Sequence, residues 1–194
     1  TLVLAGAGAQ TLGTVTGVDV ITFTSGTSLT LSSAFYQGTT GTTITTGTNA
    51  STVVGTGVLS KLSIIGNSSV ADTFVGGSAS DTLQGWSGSA SSLVDSLTGG
   101  SGVDYFVVGS AAGNMYTGTG YAFITDFGLG GSDKILVKDY AVGFSSQAYT
   151  FGISGTAFTL TQTSSGSIIA QGNLSGSYAT MTAAGLTATL NFIA

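Results

Sequence analysis

Along residues 1–66, short apolar phrases, LVLAG, VDVITFT, SLTLSS and STVVGTG, alternate with corners of Gly, Thr and Ser. That rhythm reads as strand, turn and strand again, because short runs rich in β-branched residues suit a pleated surface and Gly-rich corners interrupt it. No stretch repeats its apolar residues at spacings of three, four and seven through three turns, and the density of Gly and β-branched side chains further penalises helix. The low-complexity stretch at 39–51, TTGTTITTGTNAS, reads as a polar loop or a solenoid corner. The pattern predicts an all-β chain with very little helix.

Between residues 67 and 107 the pattern becomes periodic. Aligned on Asp it reads NSSVADTFV (67–75), GGSASDTLQ (76–84), an inserted GWSGS (85–89), ASSLVDSLT (90–98) and GGSGVDYFV (99–107). Asp72, Asp81, Asp95 and Asp104 are each followed, two residues on, by a large apolar residue: Phe74, Leu83, Leu97 and Phe106. Nine residues, six of them turn-forming and three strand-forming, suit a parallel β-roll or β-solenoid with two repeats to the coil and the large apolar residue facing inward. Side chains on one edge of such a roll lie two repeats apart. The insertion makes both separations 23 residues, Asp72 to Asp95 and Asp81 to Asp104. Each edge is therefore expected to carry a stacked pair of carboxylates.

Such pairs suit a hard cation. Glycine lets a turn take positive φ values and aim its carbonyl oxygens at one point, and an Asp at the end of the turn adds an anionic oxygen. Stacked turns of this kind make an oxygen cage for Ca2+. Magnesium demands tighter octahedral geometry, and transition metals favour His or Cys, of which the chain has none. The expected site pairs Asp81 with Asp104 on one edge and Asp72 with Asp95 on the other, backed by the carbonyls of Gly76, Gly99 and Gly100. The alternative is that these aspartates make only turn hydrogen bonds. Asp19, in GVDVITF, reads as an isolated turn residue.

GGSGVDYFV resembles in full the G-G-x-G-x-D-x-apolar-x repeat of the RTX, or haemolysin-type calcium-binding, proteins, and GGSASDTLQ departs from it only at Ala79. ITDFGLGGSDKILV, 124–137, is similar to the I-x-D-F-x-x-G-x-D-x-I segment that closes many RTX arrays. The resemblance implies a calcium-binding parallel roll, with Asp126 and Asp133 closing the last turn, and export by a type I secretion system. It also implies that the tail, ending LNFIA, resembles an uncleaved secretion signal. The first and third repeats lack the leading glycines, and GSAAGNMYT (109–117) would be a slipped repeat with Asn114 in place of Asp. The chain accordingly divides into a strand-rich region at 1–66, an RTX-like roll with its closing segment at 67–137 and a β-rich C-terminal part at 138–194.

Composition narrows the function. Charged residues make up 6% of the 194, against roughly 25% in an ordinary domain, while 42% are hydrophobic, enough to pack a core. All eight acids are Asp, and with three Lys they give a net charge of −5, which offers no footprint for a phosphate backbone. Nucleic acid is not expected as a partner. No apolar run approaches the eighteen or so residues of a membrane-spanning helix, so membrane insertion is not expected. Without His, Cys, Glu or Arg, the usual catalytic triads and zinc sites are unavailable, and the chain reads as noncatalytic. Lys61, Lys134 and Lys138 read as solvated or ion-paired side chains. Zero Cys is compatible with export. With no basic-then-apolar leader after Thr1, the expectation is a processed chain or a fragment.

These features point to a secreted structural protein of a bacterial cell surface or matrix. It would be localised extracellularly and self-associate into a surface layer (S-layer) lattice or a filament. Two rivals are a noncatalytic C-terminal module of a secreted hydrolase, such as a protease or lipase, and a glycan-binding adhesin using Trp86 with Tyr105, Tyr116 and Tyr121. The strand-like, uncharged phrases TLVLAGAGA and LTATLNFIA at the two ends favour pairing between copies.

Overall fold

Successive strands alternate between two sheets, as a spiral with two repeats per coil requires. The computed structural model describes all residues except 7, 26, 36–40, 68, 87–91, 139–147, 188 and 194. The first sheet holds, in spatial order, β1 (Leu2–Leu4), β3 (Val20–Phe23), β5 (Thr42–Thr45), β7 (Leu62–Ile65), β9 (Thr82–Gln84), β11 (Tyr105–Val107), β15 (Lys134–Lys138) and β19 (Leu190–Ile193). Each is parallel to its neighbour. The second sheet runs β2 (Gly8–Leu12), β4 (Thr27–Leu31), β6 (Thr52–Val54), β8 (Thr73–Val75), β10 (Val94–Thr98), β14 (Tyr121–Phe127) and β18 (Ile168–Leu174), also parallel. The molecule is a parallel β-solenoid, as the nine-residue period predicts.

The period of two within each strand builds the interior. In the first sheet Ile21, Ile44, Ile64, Leu83, Phe106 and Ile135 stack in register. Across from them stand Leu29, Val53, Phe74, Leu97 and Ile124. All eleven are fully buried, and each such side chain removed from water contributes about 1.5–3 kcal/mol. The four residues expected to face inward, Phe74, Leu83, Leu97 and Phe106, lie within these two columns.

The ladders run from residues 1–66 into 67–107 without a break, since Thr42–Thr45 pairs with Leu62–Ile65 and that strand pairs with Thr82–Gln84. The low-complexity stretch is more than a polar corner. It supplies β5, where Thr42 and Ile44 are buried and Thr43 and Thr45 face outward, because alternating β-branched Thr and Ile satisfy a strand as well as longer apolar runs do.

Two segments depart from the roll. Residues 109–117 do not form a slipped repeat. They begin with a short antiparallel hairpin, β12 (Gly109–Ser110) with β13 (Gly113–Asn114), and Asn114 Oδ1 accepts from the Tyr149 hydroxyl at 2.8 Å. In the tail, β16 (Tyr149–Ser154), β17 (Ala157–Gln162) and β18 form an antiparallel meander that continues the second sheet. A 3-10 turn at Gly176–Tyr178 and the helix α1 (Ala183–Thr187) lead to β19, which returns to the first sheet beside β15.

Candidate functional site

The aspartates stack on the two edges as their spacing predicts. On one edge the Asp81 N–H donates to Asp104 Oδ1 at 2.8 Å, and the Asp104 N–H donates to Asp133 Oδ1 at 2.9 Å. On the other the Asp72 N–H donates to Asp95 Oδ1 at 2.7 Å. The rule extends one coil further back on each edge, where no acid precedes: Asp72 Oδ1 accepts from Ser51 N–H and Asp81 Oδ1 from Leu62 N–H, both at 2.7 Å. Each Oδ1 thus satisfies an amide at the matching position of the preceding coil, which the strand ladder leaves open at the corner.

The second oxygen closes its own turn. Asp72 Oδ2 accepts from Asn67 N–H at 3.0 Å, Asp81 Oδ2 from Gly77 N–H at 2.6 Å and Asp133 Oδ2 from Gly128 N–H at 2.6 Å. The glycines permit this closeness. A Cβ on Gly76 would meet Asp81 Oδ2 at 2.5 Å, and one on Gly99 would overlap Asp104 Oδ2.

Asp126 behaves differently. Its two oxygens take the amides of Gly99 and Gly100, both at 2.9 Å. The turn-closing partner of Asp104 Oδ2 would be Gly100 N–H, four residues back as Gly77 is from Asp81, and Asp126 has already taken it. Asp104 Oδ2 is therefore buried with no hydrogen-bond partner. The other eleven carboxylate oxygens of the six buried aspartates each accept a hydrogen bond.

Electrostatics follow from that burial. Loss of water pushes the Asp104 carboxyl up to about 7, its amide bond opposes the rise, and the charges of Asp133, Asp81 and Asp126 add to it. Burial likewise lifts Asp72 and Asp81 to about 6, against the lowering effect of their amide donors. Asp95 and Asp133 are raised for the same first reason. On the Asp72 edge the Tyr116 hydroxyl donates to Asp95 Oδ2 at 2.6 Å.

All nine residues expected at the site thus line the turns. The carboxylates of Asp81, Asp104, Asp126 and Asp133 border one edge, and those of Asp72 and Asp95 the other. Gly76, Gly99 and Gly100 are placed by close approach of backbone: Gly99 O lies against Gly76 and Gly77 O against Gly100, whose φ is +95°. Among the described residues no three acidic side chains gather tightly enough to enclose a metal ion by carboxylates alone. A hard cation on the Asp104 edge would need carbonyl oxygens to complete its shell, as calcium accepts. The buried, donor-free Asp104 Oδ2 is the oxygen at which such an ion would attach.

The remaining candidates resolve differently. Asp19 is exposed and occupies the same column as Asp81 and Asp104, but Thr42 and Leu62 stand between it and them. Trp86 and Tyr116 are buried against each other, ring centroids 6.1 Å apart, and present no open face to a sugar. Asp139, the neighbour of Lys138 in sequence and the ion-pair partner expected for it, lies outside the described residues. Of two surface depressions, one is lined by Val3, Leu4 and Gln10, and the other by Lys61 with the hydroxyl-bearing Thr43 and Ser63. No helix among the described residues is long and apolar enough to cross a membrane.

The sequence places Tyr116 only among the tyrosines of the glycan-binding alternative and does not single out Ser51 or Leu62. None of the three carries a repeat signature, so the folded geometry alone joins them to Asp95, Asp72 and Asp81. Comparison of the chain with protein-family models, with curated proteins and with solved structures found no match.

Proposed function

We propose that this chain is a noncatalytic, calcium-stiffened β-roll that serves as a building block of a secreted bacterial surface layer or matrix. One observation carries the reading: six of the eight aspartates are buried along the turns. This has two consequences.

The first concerns the cation. Stacked carboxylates without a positive partner are costly inside a protein, and they either take up protons or hold a cation. Asp104, Asp126, Asp133 and Asp81, with turn carbonyls such as those of Gly76 and Gly99, are the residues that would hold calcium. When bound, it would supply the positive charge that this edge lacks. The RTX-like phrases at 67–107 and 124–137 support the same assignment, and with it the expectation of type I export.

The second concerns the surface. With its acids turned inward, the roll shows Asp19 and three lysines as its exposed or half-buried charges among the described residues. A solenoid with so little surface charge has little to keep copies apart. Self-association follows from the same distribution that makes the cation site.

Electron microscopy of the purified chain in calcium and in chelator tests the reading. Ordered arrays or filaments that form with calcium and dissolve on chelation are expected. Dispersed monomers under both conditions would overturn the structural role and leave the detached hydrolase module as the better reading.

A further inference from the structure

We infer that Tyr116 takes the place of a cation on the Asp72–Asp95 edge, so that the roll binds calcium along only one of its two edges. This rests on the calcium reading above and adds to it which edge is closed and by what.

The two edges have the same backbone design. In each of four repeats a glycine lies where its missing Cβ leaves room for Oδ2 of the following Asp: Gly66 for Asp72, Gly76 for Asp81, Gly85 for Asp95 and Gly99 for Asp104. At Gly66 and Gly76 the second oxygen in that space is a backbone carbonyl, of Gly85 and Gly99, whereas at Gly85 it is a side-chain hydroxyl. A Cβ there would meet Asp95 Oδ2 at 2.5 Å and the Tyr116 hydroxyl at 2.6 Å. The hydroxyl sits 2.6 Å from Asp95 Oδ2, close to the 2.3–2.6 Å at which calcium holds an oxygen. It therefore fills the point that a cation bound to that oxygen would occupy.

The rest of the edge is saturated. Ser51 N–H, Asn67 N–H, Asp72 N–H and Tyr116 O–H supply one donor to each of the four oxygens of Asp72 and Asp95. Tyr116 is wholly buried, and its ring is held against Trp86, so the hydroxyl does not swing aside to admit an ion. On the other edge no phenol among the described residues reaches a carboxylate. Tyr178 is the nearest counterpart, and its hydroxyl donates instead to the Asp133 backbone carbonyl at 3.1 Å.

The test uses terbium, a luminescent stand-in for calcium, and the single tryptophan of the chain. Trp86 packs on Tyr116 and is the antenna for an ion on the Asp72–Asp95 edge. The wild-type chain is expected to bind calcium by calorimetry yet to give little Trp86-sensitised terbium emission. Tyr116→Phe, which removes only the hydroxyl, is expected to gain one calcium site and several-fold stronger Trp86-sensitised emission. Strong Trp86-sensitised emission from wild type at its first equivalents, or a Tyr116→Phe chain with unchanged stoichiometry, would overturn the inference. The wild-type measurement decides alone if Tyr116→Phe does not fold. A wild type that binds neither ion would instead overturn the calcium reading itself.

Discussion

Asp81 and Asp104 are 23 residues apart in sequence and one coil apart in space, joined by a 2.8 Å hydrogen bond from the Asp81 amide to Asp104 Oδ1. The same bond repeats from Asp104 to Asp133. A column of acids is held by backbone amides, and its charge accumulates with each coil. Asp104, in the middle, has the one oxygen that no donor reaches.

Asp104→Asn is expected to act in opposite directions with and without calcium. In chelator the amide keeps the oxygen that Asp81 N–H needs and removes a buried charge among three others, so the variant should melt higher than wild type. Removing the desolvation cost of one unpartnered buried charge is worth about 1–3 kcal/mol. At about 2–4 °C per kcal/mol for a chain of this size, the shift is measurable by thermal denaturation. In calcium the order should reverse, because the variant lacks the anionic oxygen. A variant that melts lower than wild type in chelator would show that Asp104 is stabilising as a bare anion.

Stability without divalent cations should fall as pH rises. Burial raises the folded-state carboxyls of Asp72 and Asp81 to about 6 and of Asp104 to about 7, whereas the unfolded chain titrates near the ordinary carboxylate range of about 4. Between those limits the folded chain holds more protons than the unfolded one, so each step up in pH favours unfolding. In chelator the melting temperature should therefore drop from pH 5 to pH 7.5, most of it below about 7. Saturating calcium should flatten this dependence above pH 6. A melting temperature that rises over that range in chelator would contradict the burial of these groups as anions.

Glycines of similar appearance should respond very differently to Ala. A Cβ on Gly99 would fall against Oδ2, Cγ and Cβ of Asp104, whereas one on Gly152 would meet nothing within 4 Å. Gly99→Ala should cost at least about 2 kcal/mol, in the range of an overpacked interior. Gly152→Ala, on the exposed side of β16, should stay within about 0.5 kcal/mol of wild type. Chemical denaturation of the two variants checks the contrast, and equal losses would show that the turns relax freely.

The sequence carries the roll plainly wherever its repeats are strict. Asp72, Asp81, Asp95 and Asp104 mark the corners, and Phe74, Leu83, Leu97 and Phe106 mark the interior, because a nine-residue period fixes both at once. The insertion after Gln84 keeps the two Asp separations equal, so edge pairing could be read from number alone. Tyr116 could not, since it reaches Asp95 from 21 residues away out of a stretch with no repeat. The double grip of Asp126 on Gly99 and Gly100 was hidden for a similar reason: it depends on where β14 meets β10 and not on a motif. In the tail, alternation alone distinguishes no parallel strand from an antiparallel one, and the meander of β16 to β18 came only from the fold.

Association between copies, if it occurs as proposed, should use the uncharged outer face of the nine-stranded sheet. The nine-stranded sheet carries no charged side chain on its outer surface among the described residues, because its two acids, Asp95 and Asp126, are buried. One outward rank runs Ser28, Thr52, Thr73, Ser96 and Phe123, in register across neighbouring coils. The other sheet presents Lys134 and Lys138 on its outer side. Nine strands spaced about 4.8 Å apart, each some 15 Å long, give a face of roughly 600 Å2. Two such faces together clear the roughly 1,000 Å2 that a specific interface needs. Small hydroxyl and methyl side chains at a regular spacing also pack closely against a second copy of themselves. Two adjacent lysines would undo this, since like charges repel and must be desolvated on contact. A chain carrying Thr52→Lys and Thr73→Lys should therefore remain monomeric by light scattering in calcium at concentrations where wild type associates, while Lys134→Thr should associate at least as well as wild type. Association of the double-lysine chain equal to that of wild type would move the contact to the other sheet or to the ends of the roll.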